Sequence, residues 1–264
     1  MPIITFTSDT NYNDFYVARL KGKLLKNIGN DLQLIDINHQ ISRDNYSEAA
    51  FVMKHAIFDF PPNTIHISTV AAVHNNKLLL SKIDDQFLIC NDIGMLNLIA
   101  ETKAIECRLV ELLYDDELED SIVNVLKEFM QDFDLNKVGQ LFEDYDAKTF
   151  QTPFIQGDFL KGSVVYIDCY ENVITDIRKE MFLELVENKN FVIRLDPRIS
   201  MKTDYYEDKN VYSLSTKYSE ETKTGTIAYF NQDDLLEISY VNGNAAGLLG
   251  LKERSQIRIE ITEE

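Results

Sequence analysis

The first forty residues switch hydrophobic period twice, and that leaves few architectures open. "PIITFTS" (residues 2–8) and "LQLIDIN" (32–38) are short, β-branched apolar runs, whereas "DFYVARLKGKLLKNI" (14–28) between them carries its apolar residues at helical spacing and stops beside Gly29. A strand, a helix and a strand in that order form a βαβ unit. The pattern continues. "YSEAAFVMKHAIFDF" (46–60) reads as an amphipathic helix stopped by Pro61 and Pro62, and "TIHISTV", "KLLLSKI" and "QFLICND" read as strands. A helix from about Met95, the strand "IECRLVEL", and a helix, loop and short helix between Glu117 and Glu143 complete an α/β half.

Past the polar stretch "EDYDAKTFQTPFIQGDF" the texture changes. "GSVVYIDCY", "NVITDI", "NFVIRL", "VYSLST", "GTIAYFN" and "LLEISYV" are strand-like runs separated by turn residues, with little helical pattern until "GNAAGLLGLKE". The expected fold is an α/β N-terminal domain with a central, mainly parallel sheet (residues 1–150), followed by a smaller, all-β, barrel-like C-terminal domain (155–264). With 45% hydrophobic residues, the 264-residue chain can bury a sizeable core.

A formal charge of −18 argues against nucleic acid or an anionic membrane as partner, since both repel such a surface, and tolerates a cationic or zwitterionic small ligand. No run approaches the ~18 consecutive apolar residues of a membrane span, and "MPIITFTSD" has neither the basic start nor the apolar stretch of a signal peptide, so a cytoplasmic location is expected. Cys90, Cys107 and Cys169 are widely spaced and odd in number, which fits buried thiols in a reducing compartment better than disulfides or zinc ligands.

Seven small polar or acidic residues follow the first strand, and the carboxyl ends of strands are where open α/β sheets place their ligands. Asp9, Asn11 and Asn13 have the spacing that opens a calcium loop. The sixth position is Asp14 where glycine is needed and the twelfth is Leu20 where glutamate is needed, so that reading fails. Asp9 can instead accept two hydrogen bonds from a sugar diol, while Asp9 or Asp14 as a helix N-cap is the stronger claimant on these residues alone. Asp168 and Asn172 flank a tight turn, and Asn242–Gly243 form a strand-to-helix turn in which the glycine supplies the unusual dihedrals. Each is compatible with a turn-forming role as well as a ligand role. His66 reads as a core strand residue and His55 as helical, leaving His39 and His74 at strand ends near any site. No GxSxG, Walker loop or GxGxxG is present.

Taken in order, "TSDTNYNDFYVARLKG", "LIDINHQISRDNYSEAAF", "FDFPPNTIHISTV", "NDIGML", "YIDCYENVITDI" and "NQDDLLEISYVNGNAAGLLGLK" resemble the S-adenosyl-L-methionine hydroxide adenosyltransferases, relatives of the fluorinase and chlorinase enzymes. The resemblance implies an α/β domain followed by a β-barrel-like domain, and homotrimers with sites at subunit interfaces. It also implies in-line displacement at the 5′ carbon of S-adenosyl-methionine, with that molecule as substrate and no cofactor. Position by position, Asp9 would take the ribose diol and Asp14 and Asp168 the methionine ammonium. Asn172 and the backbone near Asn242 would read adenine, and Tyr218 would stack on it.

The water-handling segment departs from the family. Where water-using members carry "DPGVGT", this chain has "AAVHNNK", with Ala71 at the Asp position. "YDDELEDS" stands where a His-containing segment is expected, leaving His74 and Lys77 as substitutes. At the methionine-carboxylate position stand Gln232 and Asp233, and Asp233 would repel that group. Two functions fit: a divergent S-adenosyl-methionine hydrolase giving adenosine and methionine, or a catalytically degenerate protein that binds adenosine or S-adenosyl-methionine.

Overall fold

The computed structural model of the chain describes residues 1–72, 77–111, 118–149, 152–195, 210–216 and 224–262. It divides into two compact units, Met1–Phe150 and Gln151–Glu264.

In the first unit, β1 (Ile3–Thr7), α1 (Tyr16–Asn27), β2 (Gln33–Asn38), α2 (Tyr46–Lys54), β3 (Ile65–Ser68), β4 (Lys77–Ile83), β5 (Gln86–Asn91), α3 (Met95–Ala100), β6 (Ile105–Glu111), α4 (Leu118–Phe129) and β7 (Gln140–Leu141) follow one another. The sheet order is β2-β1-β3-β5-β4-β6-β7. β2, β1, β3 and β5 pair in parallel, and the remaining pairings are antiparallel, so β6 again points the way β5 does. Alternation along the strands buries both faces: Leu78 and Leu80 join Leu20, Leu24, Leu126 and Phe129 of α1 and α4, while Leu79 and Cys90 join Ala50, Met53 and Ile99 of α2 and α3. The result is a three-layer sandwich. Phe87, Phe129 and Phe133 seal one face edge to face, with ring centroids 4.7 and 5.2 Å apart along that series.

The chain leaves β1 to one side, for β2, and returns to its other side, for β3. The carboxyl ends of β1 and β3 therefore diverge into a crevice, the usual ligand position of such sheets.

The second unit holds β8 (Phe154–Gln156), β9 (Phe159–Ile167), β10 (Val173–Arg178), α5 (Lys179–Val186), β11 (Phe191–Arg194), β12 (Thr226–Phe230), β13 (Leu235–Tyr240), α6 (Ala245–Leu249) and β14 (Gln256–Ile261). Its strands form a curled, half-barrel antiparallel sheet in the order β11-β14-β9-β10-β13-β12, with β8 on β9. The core is apolar, built from Leu160, Val173, Ile193, Leu236, Ile238, Ile257 and Ile259 among others.

Several expectations need correction. The helix expected over 46–60 ends at Lys54, where His55 turns its ring onto the Phe51 carbonyl at 2.7 Å, and a separate 3-10 turn occupies Ile57–Asp59. The second unit is not helix-free before Gly243. α5 has Met181, Phe182, Leu185 and Val186 at helical spacing, and its apolar face joins the core. "VYSLST" is not a strand: Val211 makes an isolated bridge to Ile193 and Ser215 donates to Ala228, without a ladder. Cys90 and Cys107 are buried, but Cys169 is exposed at the turn after β9. Burial pushes the Cys107 thiol up to about 11, keeping it unreactive.

Candidate active site

The β1–α1 loop crosses the crevice. Its backbone is tied to both neighbouring strands: Ser8 N–H donates to the Asn38 carbonyl, and Thr69 N–H donates to the Thr7 carbonyl. Beside it opens a cavity of about 690 Å³ lined by Ser8, Asp9, Thr10, Asp14, Tyr16, His39, Arg43, Asp44, Thr69, Ala71 and Glu119, with Phe6, Leu20 and Ile67 as its apolar floor. That size suits a nucleoside-sized ligand.

Asp9 is the anchor of this cavity. Its Oδ2 accepts from the backbone N–H of Asp44 at 2.9 Å and of Ala71 at 3.2 Å, drawing the loops after β2 and β3 onto one carboxylate. No described residue bonds Oδ1, which leaves an acceptor for a ligand hydroxyl. Ala71 holds φ +52°, a conformation that costs a non-glycine residue energy, and its N–H is thereby turned to Asp9. Capping is excluded for Asp9 and Asp14: the N-cap position of α1 is Phe15, with no side-chain cap bond. Asp14 is exposed at the cavity mouth.

Below Asp9 lies a polar chain. His39, almost wholly buried, bonds Ser8 Oγ through Nδ1 and Asp36 Oδ1 through Nε2, each at 2.8 Å, and the Tyr12 ring stands edge-on to it with centroids 4.9 Å apart. Lys21 Nζ donates to Asp36 Oδ2 at 2.7 Å. Burial works to raise the Asp36 pKa, but the bonds and charges of Lys21 and His39 outweigh it and leave the carboxyl below its usual value. Glu119, at the start of α4, is paired with Arg19 at 2.9 Å. Ser8 and Thr10 belong to the polar stretch after β1 that flanks Asp9, whereas Arg43 and Asp44 carry no motif that would have marked them and reach the site because β1 and β2 are neighbours.

The remaining expected residues have these surroundings. His74 and Tyr218 lie outside the described residues. Lys77 reaches Asp92 at 3.8 Å and lies over the Phe142 ring rather than lining the cavity. In the second unit, Asp168 Oδ1 accepts from the N–H groups of Tyr170 and Asn172 at 2.9 and 2.8 Å, and Oδ2 accepts from Asn172 Nδ2 at 3.0 Å. The Asp168–Asn172 pair thus builds its own turn. At the next turn the left-handed residue is Asn242, φ +58°, and not Gly243. Gly243 is required for a different reason, since a Cβ there would meet Tyr240 Cδ1 at 2.5 Å. Gln232 and Asp233 are exposed in a turn organised by Asn231, whose Oδ1 accepts from the Asp233 and Leu235 N–H groups.

The chain thus carries a doubly wound sheet with an aspartate-anchored cavity at its switch point and, in its second unit, a curled β-sheet. The family model for the SAM hydroxide adenosyltransferase N-terminal domain matches residues 4–128 and that for the C-terminal domain matches residues 162–258, and the chain belongs to this family. Among individual proteins, it is 25% identical to the (R)-S-adenosyl-L-methionine hydrolase of Methanocaldococcus jannaschii, over 98% of this chain and 96% of that protein. Solved crystal structures share its fold. A conserved protein from Thermotoga maritima superposes with a TM-score of 0.81 at 22% identity, over 97% of this chain and 99% of that one. A conserved hypothetical protein from Thermus thermophilus gives 0.73 at 19% identity, over 99% of this chain and 100% of that one.

Proposed function

We propose that the protein is an S-adenosyl-L-methionine hydrolase, transferring the adenosyl group to water and releasing adenosine and methionine. The observation that carries this reading is Asp9, held through one oxygen by two strand-end loops with its other oxygen open beside the cavity. Membership of the family and the hydrolase from Methanocaldococcus jannaschii support it. Asp9 takes the ribose 2′- and 3′-hydroxyls as a charge-assisted acceptor. Asp14, which lines the cavity, is assigned to the methionine ammonium by its match to the family. Asp168, Asn172, Tyr218 and the backbone at Asn242 are assigned to the ammonium and the adenine by their match to the family. The sulfonium is its own leaving group, so the chain's task is to orient water and C5′ and to exclude bulk solvent, with no cofactor. A homotrimer in the cytoplasm is part of the same proposal.

The test is to incubate the protein with S-adenosyl-methionine, with and without chloride, and separate the products. Adenosine is the expected product in both. Asp9→Asn, which keeps an acceptor for the two loop N–H groups while removing the charge, should lower kcat/KM roughly 10- to 100-fold per ribose bond weakened. A 5′-chloro product would move the protein to the halogenating branch. Adenosine binding without turnover would make it a nucleoside-binding protein.

A further inference from the structure

The cavity contains a line of side chains that the ribose and ammonium roles leave unused. Thr10 Oγ1 is 3.1 Å from Ser8 Oγ, which is 2.8 Å from His39 Nδ1, and His39 Nε2 is 2.8 Å from Asp36 Oδ1. Thr10, Ser8 and His39 all line the cavity, and Ser8 and His39 are each only 1% exposed. An ionised carboxylate can only accept, so Nε2 carries the ring proton of neutral His39 and Nδ1 accepts from Ser8. Ser8 in turn accepts from Thr10. Thr10 then keeps its lone pairs for a group in the cavity, and the hydrogen bonds run in one direction, from the cavity to the imidazole.

This arrangement bears on a chemical need. Water, with a pKa of about 16, must lose a proton as it attacks. Ala71 and its neighbours offer no carboxylate at the position where the family resemblance places one. We infer that Thr10, Ser8 and His39 form a proton relay that deprotonates the attacking water, with Asp36 as the positioning residue behind the imidazole. The inference rests on the hydrolase reading.

In the step, the water oxygen bonds to C5′ as the C5′–S bond breaks, and the bonding pair stays on sulfur as the neutral thioether of methionine. One water proton remains as the 5′-hydroxyl of adenosine. The other passes to Thr10 Oγ1, whose own proton moves to Ser8 Oγ, whose proton moves to His39 Nδ1. The imidazolium sits against Asp36 until it releases its proton to solvent. The charged and polar groups around the relay are Asp36 on β2, Lys21 on α1, the Tyr12 edge, and the cavity-lining Asp9, Asp14, Arg43, Asp44 and Glu119. His39 must be neutral to accept, so acid that protonates the ring stops the relay.

The experiment is the pH dependence of adenosine formation by the full chain and by His39→Asn, with adenosine binding followed by calorimetry as the check on folding. The expected result is a loss in kcat of about 10²-fold or more with little change in KM, and disappearance of the acid limb. Thr10→Val, at a less buried position, covers the case in which His39→Asn does not fold. Its proton inventory in mixed light and heavy water should go from curved to linear. Wild-type kcat and pH profile in His39→Asn would overturn the relay alone, as would nitrogen-15 spectra placing the neutral ring proton on Nδ1. No adenosine from the wild-type chain would instead overturn the hydrolase reading, and the relay with it.

Discussion

At the scale of single residues, the two buried histidines His39 and His66 of the first unit have different surroundings. His66, in β3, is fully buried, takes a bond from Thr5 Oγ1 at 2.7 Å, gives one to Gln86 Oε1 at 3.2 Å and meets the Phe60 edge. No carboxylate faces it in those contacts, and burial, opposed only by the Gln86 bond, pulls its pKa down to about 4. The unfolded chain would then bind a proton that the folded chain refuses between about pH 6.5 and about pH 4. Stability from this residue is complete above the unfolded pKa and falls as pH drops, by roughly 3 kcal/mol once below the folded value. Denaturant titrations between pH 7 and pH 4 should show that slope in the wild type and lose most of it in His66→Gln. Asp9 is visible in the sequence as an acid after a strand, with capping and ligand roles open. The bonds from Asp44 and Ala71 decide against capping, and they come from residues 35 and 62 positions away.

The element scale shows where period is a sufficient guide and where it is not. α1, α4 and most strands lie where their hydrophobic spacing puts them, because each buries an apolar stripe, whereas β7, β8 and β14 form in stretches whose pattern predicts no strand. α2 is defined at its start by local chemistry: Asn45 Oδ1 accepts from the Glu48 N–H at 3.1 Å, and Glu48 Oε2 returns to the Ser42 N–H at 2.9 Å. Asn45→Ala should cost about 1 kcal/mol, read as a lowered urea midpoint with unchanged slope. Its far end departs from the sequence expectation: the Ala56 N–H bonds the Met53 carbonyl three residues back, closing the helix at His55, whose ring also bonds the Phe51 carbonyl. α5 is legible in its i, i+1, i+4, i+5 pattern but sits among strands. "VYSLST" has strand composition, yet a strand needs a ladder, and this segment meets β11 and β12 only singly.

Over the whole molecule, a formal charge of −18 opposes compaction wherever carboxylates outnumber their partners. Raising ionic strength from about 10 to about 150 mM, which shortens the screening length from roughly 30 to 8 Å, should raise Tm measured by scanning calorimetry. A Tm that falls or stays level would mean that ion pairs such as Arg19–Glu119 and Lys23–Asp120 outweigh the repulsion. No helix among the described residues is long and apolar enough to cross a membrane. The sequence by itself determined the α/β start, the change to β-structure past residue 150, and the polar loop after the first strand, since period, turn residues and charge are local properties of a chain. Only the tertiary structure decided that β1 lies between β2 and β3. That adjacency draws the Asp44 and Ala71 amides onto Asp9 and sets Ser8 against His39, because a site made of loops from separate strands exists only once the sheet has chosen its order.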